Sequence, residues 1–267
     1  MFPGGGHFYL GESREGIIYL GSELSLAGAG YYLNSSLEKE PREELNLLYI
    51  LAIKEHELGI FTAYRNARLD IENQGYPVPF DSSPISELFL SPFRFINLSS
   101  PAVFGFALSG IAIAYGEWLV NKPNKGFDQI SDVYVMGNRI NRNPGFSTYE
   151  ALLFSISLSA AVGEEAAWRG VVQTEYERIF GRVKGLVAAS LMFGLSHMLN
   201  PNITNRYWEA GVASVGGIYL GWVYQRDGYR LSKSVAAHFW YNILAGTTAF
   251  ILDPENNPLG IRVEFNF

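Results

Sequence analysis

The chain contains no cysteine, which excludes disulfides, thiolate nucleophiles and cysteine-held metals. Charge is also scarce. Asp, Glu, Lys and Arg make up 17% of its 267 residues, against about 25% in a typical soluble domain. The net charge is −6 and no basic stripe is visible, so nucleic acid is not an expected partner. The opening "MFPGGGHFYLGE" lacks the basic start and apolar core of a cleavable signal, so targeting is expected to rest on internal segments. Three protease signatures are missing as well. "HELGI" at 56–60 ends in Ile60 and so fails the HExxH zinc pattern, and neither a GxSG nor a GxGD motif occurs.

What is present is apolar. Hydrophobic residues reach 48% and aromatics 15%, yet the mean hydropathy is only +0.06, so apolar character must be concentrated in segments. A membrane-spanning helix needs roughly 20 mostly apolar residues. Four stretches approach this: Phe95 to Gly116, Gly185 to Asn205, Ala210 to Gln225 and Ser234 to Leu252. Tyr207, Trp208, Trp222 and Tyr224 flank the third like interfacial anchors. A fifth helix is expected from Tyr149 to Ile179, apolar in its first half and polar in its second. The expected fold is all-α, a polytopic transmembrane helical bundle with a polar active-site cavity.

Residues 1–95 read as a membrane-associated helical region of unassigned role, and residues 96–267 as the transmembrane core. Within the first region, the periodic stretch Leu45 to Leu69 carries "KEHE" at 54–57. A lone membrane helix would not hold that cluster unpaired at mid-depth, so a tilted or interfacial hairpin is expected. His7 and His56 receive no site role. "SSPISELFLSPFRF" at 82–95 reads as an amphipathic surface helix, and 121–148 as the main polar loop. Basic residues gather in two later connections, Arg178, Arg182 and Lys184 in one, Arg226, Arg230 and Lys233 in another. The positive-inside rule would make both cytoplasmic, although the 121–148 loop also carries basic residues and leaves the orientation open.

The chemistry-bearing groups lie at the ends of, or inside, apolar runs. "GEEAAWRG" at 163–170 follows a charge-free stretch from Ala151. Glu165 and Arg169 stand four apart and share a helical face, whereas Glu164 points about 100° away from Glu165. The two carboxylates can therefore do different jobs, one paired to Arg169 and the other facing a cavity. His197, four after Phe193, and His238, four before Asn242, lie in the later apolar segments. Each group alone has an ordinary structural explanation as a helix-end ion pair, a core histidine or an interhelical bridge. Together they bring ionisable and amide groups from three helices into an apolar setting, where polar groups are costly and usually functional. Ser196 adjoins His197, but neighbouring helix positions do not face each other, which rules out a Ser–His dyad.

"EEAAWR", "FGLSH" and "HFWYN", in this order, resemble the EExxxR, FxxxH and HxxxN motifs of the CAAX-processing intramembrane protease family, which includes the CAAX prenyl endopeptidases and the bacterial Abi proteins. The resemblance spans roughly residues 145–252. It implies hydrolysis of a peptide bond, with Glu164 as general base and His197 holding the water. His238 and Asn242 would stabilise the oxyanion, and Glu165 and Arg169 would fix the geometry. A zinc ion on Glu164, His197 and His238 is the competing form, since two imidazoles and a carboxylate make a plausible first shell. A glutamate bound to zinc is not free to act as base, and the sequence leaves that choice open. The expected setting is a bacterial inner (cytoplasmic) membrane, with the lipid bilayer and a peptide or protein substrate as partners. Two other classes stay open: a non-proteolytic scaffold or bacteriocin-immunity protein, and a transporter using the polar cluster as a relay.

Overall fold

The computed structural model describes residues 2–36, 43–75, 79–122, 125–135, 138–198 and 205–254. It is all-α apart from one short hairpin. In chain order the elements are α1 (Gly5–Tyr9), α2 (Ser13–Ser36), α3 (Glu43–Asn73), α4 (Ile85–Leu90), α5 (Phe95–Leu98) and α6 (Pro101–Asn121). Strands β1 (Asp132–Val135) and β2 (Asn138–Asn141) follow, then α7 (Arg142–Glu165), a π-helical stretch (Ala166–Gln173), α8 (Thr174–Phe180), α9 (Arg182–His197), α10 (Arg206–Arg226) and α11 (Ser232–Leu252). The polar loop expected over 121–148 thus contains an antiparallel pair, with Val133 opposite Ile140, and its last residues already belong to α7. Val133 is buried against the same apolar cluster as Tyr149 and Phe250, which is why this segment leaves solvent.

Among the described residues, three helices are long and apolar enough to cross a membrane: Pro101–Asn121, Arg142–Phe180 and Ser232–Leu252. The chain is an integral membrane protein. Two of the expected spans are not among these three. Helix α9 stops at His197 after 16 residues, short of the span length, and residues 199–204 of that expected segment lie outside the described residues. Helix α10 has 21 residues, but its glycines, tyrosines, tryptophans and terminal charges dilute its hydropathy.

The packing of α6 on α11 shows how the sequence divides its faces. Val103, Ala107, Gly110 and Ala114 are buried, whereas Phe104, Leu108, Ile111, Tyr115 and Leu119 are exposed. Large apolar residues on the outer stripe suit lipid, and small ones on the inner stripe let backbones approach closely. A β-carbon at Gly110 would lie 2.8 Å from the Tyr241 carbonyl oxygen of α11. The first turns of α11 are enclosed all round, with Val235, Ala236, Ala237 and Phe239 fully buried.

At the N-terminal end, α2 and α3 pair antiparallel. Tyr19 packs on Gly59 and Tyr49 on Gly30, and His56 meets Glu23 at 3.0 Å. Each residue of "KEHE" has a partner: Lys54 bonds Glu57 and Glu164, Glu55 accepts from Ser22, and His56 bonds Glu23. This answers how the cluster is tolerated. Helix α3 also packs on α7 and on the π-helical stretch, so the N-terminal hairpin lies against the helix that carries the glutamate pair. The segment expected as one surface helix over 82–95 is divided into α4 and a 3₁₀ turn, Ser91–Phe93, with Leu88, Ser91 and Pro92 buried. The two basic connections meet at one end of the bundle, where the Gln225 side chain donates to the Arg182 carbonyl at 3.1 Å.

Candidate active site

Four helices and the π-helical stretch supply the polar groups. Helix α7 ends on Glu164 and Glu165, and the winding then changes to π over Ala166–Gln173. Such π segments within α-helices recur at functional sites. Thr174 Oγ1 donates back five residues to the Arg169 carbonyl at 3.0 Å. Arg169 lies within this turn and faces Glu165, with Nη1 3.2 Å from Oε1. Glu165 is fully buried and Arg169 only 2% exposed. The guanidinium also lies 4.4 Å over the Phe193 ring, and Nη2 donates to the Gly217 carbonyl at 3.4 Å. A buried charge pair survives loss of water only when its partners are close and fixed, and this one joins the π-helical stretch to α9 and α10.

His238 of α11 faces both glutamates. Its Nδ1 is 2.9 Å from Glu165 Oε1, and its Nε2 is 3.9 Å from Glu164 Oε2. A carboxylate accepts only, so Nδ1 carries the proton. Nε2 is then an acceptor in the neutral ring and a donor only in the imidazolium. His197 is oriented in a similar way. Its Nδ1 donates to the Phe193 carbonyl at 2.9 Å, which leaves Nε2 of the neutral ring as an acceptor. The Phe193 and His197 rings meet edge-on at 4.7 Å.

A cavity of about 710 Å³ lies between α6, α9, α10 and α11. His197, His238 and Asn242 line it, while Phe106, Ile113 and Leu220 contribute apolar wall. Glu164 is not among its lining residues; its side chain faces His238 and is mostly enclosed. The structure therefore brings the two histidines and Asn242 to one cavity, and both glutamates to His238. Glu165 with Arg169 forms the internal ion pair that their spacing suggested.

Sequence reading missed two residues of this site. Lys54 of α3 donates to Glu164 Oε1 at 2.8 Å and to Glu57 Oε1 at 3.2 Å. The available signal was "KEHE" itself, a lysine and a carboxylate at i,i+3 spacing in the middle of a stretch with helical apolar periodicity. Gly163 makes the approach possible. A β-carbon there would lie 2.9 Å from Glu57 Oε2 and 3.2 Å from the Lys54 carbonyl oxygen. The cluster thus sets three carboxylates, Glu57, Glu164 and Glu165, against two permanent cations, Lys54 and Arg169.

Among the described residues no set of three or more His, Asp or Glu side chains is arranged to hold an ion, and one Glu164 oxygen is already engaged by Lys54. The other two histidines serve the N-terminal packing: His7 is buried between Glu12 and Thr62, and His56 pairs with Glu23.

Fold and site together define a helical membrane protein with a buried carboxylate–imidazole centre beside an apolar cavity. Residues 147–244 match the family model of the type II CAAX prenyl endopeptidase Rce1-like proteins. The matched segment carries all three motifs, and the match supports the CAAX-processing protease family for this part of the chain. Among curated proteins and among solved structures, nothing matches the chain.

Proposed function

We propose that the protein is an intramembrane endopeptidase of a bacterial cytoplasmic membrane, hydrolysing a peptide bond with a water activated by Glu164. What supports this reading is the placement of His238, which faces both glutamates while sharing the cavity wall with His197 and Asn242. In the proposed step the water oxygen attacks the scissile carbonyl carbon as Glu164 takes its proton. His197 accepts the second water hydrogen at Nε2 and so orients the nucleophile. The Asn242 amide and the His238 imidazolium, its Nδ1–H held by Glu165, donate to the developing oxyanion. Collapse of that intermediate breaks the C–N bond, and the proton taken by Glu164 passes to the departing amine. Groups placed in advance on the developing charge are the largest single source of such rate enhancement.

The test is cleavage of a peptide library by the purified full chain in detergent or liposomes. Glu164→Gln should lower the rate by about 10²–10⁴-fold, the range for loss of a positioned acid–base group. If Glu164→Gln, His197→Ala and His238→Ala all keep wild-type cleavage, the hydrolytic reading fails and the scaffold reading replaces it. Solute flux in liposomes without cleavage would favour a transporter. The same assay run with chelator, then with added zinc, reads any metal requirement directly. Restoration by zinc would support the three-ligand form of the site.

A further inference from the structure

The matched family segment begins at residue 147, yet one oxygen of Glu164 is held from outside it. Lys54 Nζ lies 2.8 Å from Glu164 Oε1, on a helix that precedes the match by more than 70 residues. Both side chains are mostly enclosed, at 14% and 15% exposure. This is not the loose geometry of a surface pair. Glu57, one helical turn along α3, contacts the same ammonium at 3.1 Å, so the lysine is fixed from two sides. Gly163 supplies the flat surface on α7 that lets the α3 backbone come this close. A side chain at 163 would press on the α3 backbone and on the Glu57 carboxylate at the level of the glutamate.

We infer that Lys54, with Glu57 behind it, is a positioning residue for Glu164, and that the hydrolytic site is completed by the N-terminal hairpin. The inference rests on the reading of Glu164 as the base. A carboxylate at the end of a flexible side chain has two oxygens that can rotate toward a substrate. Lys54 takes Oε1, and the remaining oxygen, Oε2, is the one directed at His238. The lysine therefore selects which oxygen meets the water and holds it there before substrate arrives. Glu57 keeps the ammonium in place without competing for the cavity, since it approaches from the α3 side. Lys54 touches neither water nor substrate in this scheme and acts only through Glu164.

The test compares Lys54→Met, Lys54→Arg and Glu164→Gln in the full chain, with kcat and KM measured separately on a cleaved peptide. A lost positioning contact misplaces the base, for which the expected cost is about 10- to 100-fold. Lys54→Met should lower kcat by that factor, with KM changed less than about twofold because ground-state binding is untouched. Lys54→Arg, which keeps a donor to Oε1, should recover most of the rate. A purely structural lysine would instead lower thermal stability and leave kcat of the folded fraction intact. Where Lys54→Met does not fold, the double variant Lys54→Met/Glu57→Met strands no charge on α3 and carries the same decision. If wild type cleaves and Glu164→Gln is inactive while a folded Lys54→Met variant keeps wild-type kcat or exceeds it, the inference is overturned and the hydrolytic reading stands. If Glu164→Gln cleaves like wild type, it is the hydrolytic reading that fails.

Discussion

Glu165 Oε1 accepts a hydrogen bond from His238 Nδ1 at 2.9 Å, joining residues 73 apart in the chain. The same oxygen is the one that faces Arg169. One buried carboxylate thus anchors a guanidinium and orients an imidazole, while its neighbour Glu164 remains directed at the other ring nitrogen. Removing the Glu165 charge leaves Arg169 unpaired where almost no water reaches. Glu165→Gln should therefore destabilise the fold by about 3–5 kcal/mol, the usual cost of breaking a buried pair. The double variant Glu165→Met/Arg169→Leu strands no charge and should regain much of that loss. Thermal unfolding of the three variants in one detergent checks this. Equal instability of the single and double variants would show that the pair is not the source.

Gly163 tests the contact between the N-terminal hairpin and the glutamate helix. In Gly163→Ala the new methyl would meet Glu57 Oε2 at 2.9 Å and the Lys54 carbonyl at 3.2 Å. The Glu57 carboxylate can swing aside, but the α3 backbone at Lys54 must give by a few tenths of an ångström, at an expected cost of about 1–3 kcal/mol. Peptide cleavage should fall with it, because Lys54 moves away from Glu164. Gly116→Ala is the control, since nothing lies within 4 Å of that position. An unchanged unfolding temperature in Gly163→Ala would show that the two helices do not approach this closely in the membrane.

Much of this site was legible in the sequence because helical spacing is a local rule. Glu165 with Arg169 at four residues, and Glu164 turned away from both, follow from 3.6 residues per turn. The observed pairs agree with it despite the π winding that begins at Ala166. The three motif helices were likewise visible as apolar runs. What spacing does not carry is contact between segments distant in the chain. Lys54 meets Glu164 across 110 residues, and only the oddity of charge inside α3 hinted that some partner existed. The length of α9 was misjudged for a different reason. The apolar run after Gly185 contains the end of α9 at His197, and composition alone did not mark that stop. The β1–β2 hairpin was hidden in a segment whose polar residues outnumber the few apolar ones, Val133 and Ile140 among them, that fasten it.

Gly216 offers a direct probe of the cavity. It lines the space beside His197 and His238, and a β-carbon there would touch the Phe106 ring at 3.5 Å, an ordinary contact. Gly216→Ala should fold and cleave much like wild type. Gly216→Leu adds three further carbons to the cavity, and each misfit methylene in an apolar site changes discrimination by roughly tenfold or more. Its kcat/KM should fall accordingly, with the unfolding temperature little changed. Wild-type kcat/KM in a folded Gly216→Leu variant would mean that substrate does not occupy this cavity.

Tyr229 gives a pH dependence that can be read without substrate. It lies in the turn between α10 and α11, and its hydroxyl donates to Glu177 Oε2 at 2.7 Å. Burial, the hydrogen bond and the carboxylate's charge together push the phenol up to about 12, from an ordinary value of about 10. A group whose pKa is raised by folding holds its proton more tightly in the native state. Its contribution to stability is then complete below pH of about 10 and is lost as pH rises through about 12. Glu177 also accepts from Gln173 at 2.6 Å and from Gln225 at 2.8 Å, so the phenolate would confront a carboxylate that ties α8 to α10. The unfolding temperature of wild type should fall more steeply over this alkaline window than that of Tyr229→Phe, which has no proton to lose there. Because Tyr229 is partly exposed, solvent screening keeps the difference small. Parallel curves for the two proteins would mean that the Tyr229–Glu177 bond does not hold this end of the bundle together.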